Sequence, residues 1–206
     1  MNTLSKIPTL NDLKDLTNCK SIFFDMDGTL VDTEPLHARA LQDTLKHFNS
    51  TKKISKDELM TRYNGLADNF VFEDLKSFIN VNLAQFLDIK NSLFLELLKD
   101  SEPLIEDKIL NLLNELKSNG YTLALITASE KVAALTLLKK EGIDTYFDLI
   151  LTRDDCSETK PNPMPYLEAL RLLDIKREEA FIFEDSEAGI QAALGSGIPY
   201  RAVNWF

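Results

Sequence analysis

The feature that most constrains this chain is a set of five short apolar runs, most of them ending at an acid or a hydroxyl. They are residues 21–25 (SIFFD), 121–127 (YTLALIT), 147–152 (FDLILT), 180–184 (AFIFE) and 199–203 (PYRAV). Strands covered on both faces, as in a parallel sheet, have this near-continuous apolar character, whereas half-exposed strands alternate. Helical patterns lie between the later runs, at 107–119, 129–140, 164–173 and 187–194. The first puts Ile109, Leu112, Leu113 and Leu116 on one face and stops at Gly120. Alternation of helix and strand from residue 107 onward implies right-handed crossovers. It predicts an α/β fold with a doubly wound, Rossmann-like parallel sheet.

The interval between the first and second runs breaks this rhythm. A crossover needs only about a dozen residues, yet more than ninety separate Asp25 from Tyr121. Helical patterns at 36–48, 56–63, 70–79 and 83–98 fill the gap. The expected division is therefore an α/β core of residues 1–33 and 103–206, with a small helical cap domain of residues 34–102 inserted after the first strand. The stripe Phe70, Phe72, Phe78, Phe86 and Phe94 is expected to form the core of that insertion.

Composition narrows the partners. With 44% hydrophobic and 27% charged residues, the chain has ordinary globular usage, which excludes a disordered or fibrous protein. Acidic residues outnumber basic ones by 33 to 23, a net charge of −10. Phosphate backbones and anionic lipid would repel such a chain, so neither nucleic acid nor membrane is an expected partner. Cys19 and Cys156 lie far apart and form no metal-ligand spacing. No uncharged apolar run approaches the roughly 18–20 residues that span a bilayer, and the first twenty residues lack the apolar stretch of a secretion signal. A cytoplasmic protein, monomeric or weakly dimeric, is the expectation.

Polar residues gather where the runs end. Asp25-Met26-Asp27-Gly28-Thr29 follows the first, Thr127-Ala128-Ser129 the second, Lys160-Pro161-Asn162-Pro163 lies beyond the third, and Glu184-Asp185-Ser186 closes the fourth. In an open parallel sheet the carboxyl ends of the strands share one rim, where ligands bind. Acids brought together repel unless a cation lies between them, and a carboxylate-lined site suits Mg2+, which in turn favours a phosphate substrate. Lys160 would supply charge for a phosphoryl oxygen, and Thr127 with backbone N–H groups would supply neutral donors. Two carboxylates spaced two apart offer one nucleophile and one proton-transfer group. Each element has a plainer reading when taken alone. An isolated Asp-x-Asp is usually a turn, a lone lysine a solvated one, and Thr127 a helix cap. Asp144, Asp148, Asp154 and Asp155 are most simply a solvated loop, and His47 a surface residue.

DMDGTLVDTEPLH, LITAS, KPNP and FEDSEAGIQAA, in that order, resemble the four signature motifs of the haloacid dehalogenase superfamily. The resemblance is to its phosphatase and β-phosphoglucomutase-like branch, which carries a helical cap. It runs from about residue 21 to the C-terminus and is strongest outside the cap. It implies that Asp25 attacks phosphorus and becomes an aspartyl phosphate, while Asp27 protonates the leaving alcohol and then activates water. Thr127 would hold the transferring phosphate and Lys160 would neutralise it and orient Asp25. Gly28, Thr29, Ala128 and Ser129 would line the substrate site, and His37 would assist Asp27. Magnesium would be held by Asp25, Asp27 (through its backbone carbonyl) and Asp185, with Glu184 in a weaker or water-mediated contact.

The implied reaction is magnesium-dependent hydrolysis of a small phosphorylated metabolite such as a sugar phosphate or phosphoglycolate. Sugar-phosphate mutases of the branch carry a cap arginine shortly after a glycine, where it clamps a second phosphate. Here Gly65-Leu66-Ala67-Asp68-Asn69 offers an acid instead, unless Arg62 or Lys76 substitutes. A phosphatase is therefore preferred to a phosphomutase. A phospho-acceptor domain and a non-enzymatic binding protein are the remaining alternatives.

Overall fold

The computed structural model describes residues 3–13, 18–63, 66 and 68–206. Gly65 and Ala67, which belong to the cap motif considered above, lie outside the described residues, as do parts of the segment before residue 20. The chain divides into two compact units, one of Met1–Asp32 with Pro103–Phe206 and the other of Thr33–Glu102.

The first unit is built on five parallel strands: β1 (Ser21–Phe24), β2 (Thr122–Ile126), β3 (Leu149–Leu151), β4 (Ala180–Glu184) and β5 (Tyr200–Ala202). Their order across the sheet is β3-β2-β1-β4-β5. Register aligns Phe24 with Leu125 on one side and with Phe183 on the other, so the strands end together at one rim. The chain winds outward from β1 to β3 and then crosses back to β4. That reversal creates a crevice beside the end of β1, where ligands bind in open α/β sheets.

The strand signals and the fold agree for a simple reason. Every residue of β1 and β4 is buried, as both faces are covered. Phe23, Ala124, Ile126 and Ile182 pack with Tyr166, Ala169 and Leu170 of α7 (Met164–Leu173) and with Ala192 and Ala193 of α8 (Glu187–Ser196). Residues of the opposite parity include Phe24 and Phe183, whose rings stack at 5.3 Å. The remaining helices of this unit are α5 (Asp107–Ser118) and α6 (Lys131–Lys140). On α5 the predicted stripe of Ile109, Leu112, Leu113 and Leu116 is fully buried.

The second unit contains α1 (Glu34–His47), α2 (Lys56–Tyr63), α3 (Asp68–Leu75) and α4 (Leu83–Lys99). Proline in the first turn of α1 costs no hydrogen bond, because that N–H has no helical partner anyway. Asn82 caps α4 by accepting from the Gln85 N–H at 2.9 Å, and Gln85 bonds back. Leu41, Leu45, Leu59, Phe72, Leu75 and Phe86 make the core of this unit.

Three expectations need correction. Phe70 does not join the aromatic core; at 58% exposure it faces outward on α3, because Val71 and Phe72 carry the buried face. The helix expected at 129–140 begins only at Lys131. Ser129 stays outside it, with its carbonyl accepting from the Arg153 N–H at 3.1 Å. Three of the loop aspartates, Asp148, Asp154 and Asp155, are exposed but not idle. Asp155 accepts from the Thr152 N–H and hydroxyl, Asp154 from the Lys131 N–H that opens α6, and Asp148 from the Leu123 N–H. Among the described residues, no helix is long and apolar enough to cross a membrane.

Candidate active site

The four motif segments meet at the rim because each follows a strand end or packs against one. Asp25 continues β1, its N–H bonded to the Phe183 carbonyl of β4 at 3.1 Å. The chain then turns at Gly28, whose φ of +79° is strained for any other residue. A side chain there would also collide with Asp185, since a Cβ would lie 2.2 Å from Oδ2. Thr29 is fully buried and donates its hydroxyl to Asp185 Oδ1 at 2.8 Å. The first motif thus shapes the fourth as well as carrying its own acids.

Lys160 ties the sheet ends together. Its ammonium donates to Asp25 Oδ1 (2.5 Å), to Glu184 Oε1 (2.6 Å) and to the Ile126 carbonyl at the end of β2 (2.8 Å). Burial works against this charge, but Asp25 and Glu184 outweigh it and hold the ammonium well above its ordinary value. Burial pushes the Asp25 carboxyl well above the usual carboxylate range; Lys160 opposes the shift, and Glu184, Asp185 and Asp27 reinforce it. Burial, then the charge of Glu184, raises Asp185 to about 7. One lysine does not balance the acids around it.

Among the described residues, Asp25, Glu184 and Asp185 each offer a carboxylate oxygen, all within 4.8 Å of one another. Oxygens on opposite sides of a magnesium ion are about 4.2 Å apart, so this donor set is compatible with a divalent cation. Glu184 is the most encumbered of the three. Its Oε1 accepts from Lys160 and from the Tyr166 hydroxyl (3.2 Å), and its Oε2 accepts from the Ser186 N–H (3.0 Å) and hydroxyl (3.1 Å). Gly189 on the first turn of α8 makes room for this carboxylate, since a Cβ there would lie 1.6 Å from Oε1.

Asp27 faces the second motif. Its Oδ2 accepts from the Ser129 hydroxyl at 2.6 Å, with the Thr127 hydroxyl at 3.5 Å. Thr127 does not cap α6; Glu130 occupies the N-cap position. Ala128 lies in the same loop, between these two hydroxyl residues. His37 belongs to the helical unit, where its ring stacks on Phe94 at 4.3 Å and Nδ1 lies 3.4 Å from Lys90 Nζ. Three contributors escaped the sequence reading. Ser186 and Gly189 sit in the quoted fourth motif without an assigned role, and Tyr166 had no signal because a helical tyrosine on an apolar face reads as core.

A family model described as haloacid dehalogenase-like hydrolase matches residues 22–203. The chain belongs to that family. It is an enzyme of the hydrolase class, and its doubly wound α/β core is the fold of its structural neighbours. The chain is 30% identical over 185 residues to pyrophosphatase PpaX of Bacillus mycoides, covering 90% of this chain and 83% of that protein. The structure of CbbY from Rhodobacter sphaeroides in complex with phosphate is 30% identical, with a TM-score of 0.77 over 88% of this chain and 84% of that one. A mutant of CbbY in complex with xylulose-(1,5)bisphosphate is 29% identical, with a TM-score of 0.76 and the same coverage.

Proposed function

We propose that this enzyme is a magnesium-dependent phosphatase that hydrolyses a small phosphate monoester through a phosphoryl group carried on Asp25. The observation that carries the reading is the imbalance at the rim: Asp25, Glu184 and Asp185 gather beside a single lysine, and burial, reinforced by the neighbouring acids, pushes the carboxyls of Asp25 and Asp185 upward. Asp25, Asp185 and the Asp27 backbone carbonyl would hold the ion, with Glu184 supporting them. Bound there, magnesium would withdraw charge from the phosphoryl oxygens.

The protein's own groups divide the work. Asp25, oriented by Lys160, attacks phosphorus while the bond to the leaving oxygen breaks; Asp27 gives that oxygen a proton and an alcohol departs. Asp27, now a carboxylate, takes a proton from water, whose oxygen attacks phosphorus and frees both phosphate and Asp25. Ser129 and Thr127 orient Asp27 throughout, and positioned acid–base catalysis of this kind contributes about 10²–10⁴-fold. Residues 34–102 would act as the cap that selects the substrate. The ligands named for CbbY and the activity named for PpaX point to small phosphorylated compounds.

Charges in the helical unit favour hydrolysis over phosphomutase chemistry. Arg62 is paired with Asp74 at 2.8 Å, Lys76 with Glu73, and Lys90 with Asp68. Arg62 and Lys76, the cations considered for a second-phosphate clamp, are thus already engaged. Phosphate release from para-nitrophenyl phosphate tests the reading. It should need magnesium, vanish with a chelator and be abolished by Asp25→Asn. Turnover by that variant, or turnover without metal, refutes it. Conversion of β-glucose 1-phosphate to its 6-phosphate in preference to free phosphate would establish the mutase instead.

A further inference from the structure

Residues 3–13 precede the first strand and carry none of the chemistry above, yet they are anchored at two places. Leu4 forms a parallel bridge with Val203. Its N–H donates to the Ala202 carbonyl and its carbonyl accepts from the Asn204 N–H, each at 2.9 Å. Further along, the Leu10 N–H donates to Glu115 Oε2 of α5 at 2.9 Å, and Pro8 and Leu13 are buried. Asp12 closes the turn by accepting from the Thr9 N–H and hydroxyl. Leu4 therefore adds a pairing just beyond β5, at an edge that an open sheet would otherwise leave exposed.

This clamp is one hydrogen bond from the acids. Val203, the residue paired with Leu4, donates its own N–H to the Glu184 carbonyl at 2.8 Å. Ala202 stands in register with Glu184, and the Trp205 ring lies 5.8 Å from that of Phe183. Glu184 and Asp185 are thus presented from a strand end whose outer neighbour, β5, is only three residues long. Mutually repelling acids need that end held, and a small cation with strict coordination geometry tolerates little displacement.

We propose that residues 3–13 are a positioning strap for the metal-binding acids. Leu4 holds the backbone of Ala202, Val203 and Asn204, and that backbone, through Val203, holds the end of β4 in the geometry that binds a divalent cation. Leu4 is a positioning residue acting through Val203 and Glu184. The inference rests on the metal-dependent reading given above.

Coupling between sites is reciprocal, so the strap tightens magnesium binding by the factor by which magnesium tightens the strap. Magnesium chloride titrated into the full chain, followed by binding heat and by melting temperature, tests this. Leu4→Pro removes the N–H given to Ala202, whereas Leu4→Ile retains it. The proline variant should raise the magnesium dissociation constant about fivefold, with kcat and KM at saturating magnesium near their parent values; the isoleucine variant should match the parent. A proline variant that melts earlier yet binds magnesium as the parent does overturns the proposal, because the strap would then be merely structural. Hydrogen exchange on the unaltered protein is independent of how the variants fold. Magnesium should slow the Asn204 amide together with those of Asp185 and Ser186, and an Asn204 amide indifferent to magnesium overturns the proposal. Unaltered protein that takes up no magnesium removes the phosphatase reading itself, a distinct failure.

Discussion

Lys160 of the α/β unit and Lys90 of the helical unit are buried to nearly the same degree, at 5% and 4% exposure. Their surroundings differ in the count of charge. Lys160 meets Asp25 and Glu184, with Asp185 beside them, so three carboxylates face one ammonium. Lys90 is paired with Asp68 and lies against His37. There one acid answers one base, and the pair is electrically complete. Burial of a charge is therefore a weak sign of function; burial of a charge that its neighbours do not balance is a strong one.

The comparison breaks most visibly if Lys160 proves dispensable. Lys160→Met should lower kcat by about 10²–10³-fold, the loss that follows removal of one donor aimed at developing charge. Steady-state phosphate release would measure it, and near-normal turnover would place Lys160 with Lys90 as a structural ion.

A second effect follows from the titration of the acidic cluster. Asp185 is raised from an ordinary 3.8 to about 7, so the folded state binds its proton more tightly than the unfolded chain does. The associated stability is fully present below pH 4 and is lost as pH rises through 7; a shift of this size is worth on the order of 4 kcal/mol. Metal-free protein should therefore become less stable in urea between pH 4 and 7, and magnesium should restore the loss, since a cation favours the ionised acids. A metal-free protein that gained stability over this range would contradict the charge count at the rim.

The smallest expected effect sharpens the other half of the comparison. Lys90→Met leaves Asp68 without its base and should cost about 2–3 kcal/mol in urea unfolding. Replacing both members, Lys90→Met with Asp68→Leu, should recover most of that loss. A single variant as stable as the parent would show that the helical pair holds nothing together.

Much of the site was visible in the chain itself. Asp25, Asp27, Thr127, Lys160, Glu184 and Asp185 each stand at or near the end of an apolar run, and runs buried on both faces announce a parallel sheet whose ends meet. Side chains whose role depends on a neighbour were not visible. Tyr166 reads as one more apolar residue of α7 until its hydroxyl is found on Glu184. Thr29 is expected from its motif to line the substrate site, but that its hydroxyl is given to Asp185 is not legible in the chain. The exposure of Phe70 and the structural duties of Asp148, Asp154 and Asp155 likewise depend on what each side chain meets, and periodicity carries no information about partners.

What the sequence determined alone is the alternation of elements and the placement of acids at strand ends, because hydrophobic periodicity and turn chemistry are local properties of the chain. Only the tertiary structure decided that Lys160 lies between Asp25 and Glu184, that Glu184 is the most heavily hydrogen-bonded of the three acids, and that Leu4 reaches Val203. Those relations join residues far apart in the chain, and they exist only once the sheet has been paired and its register set.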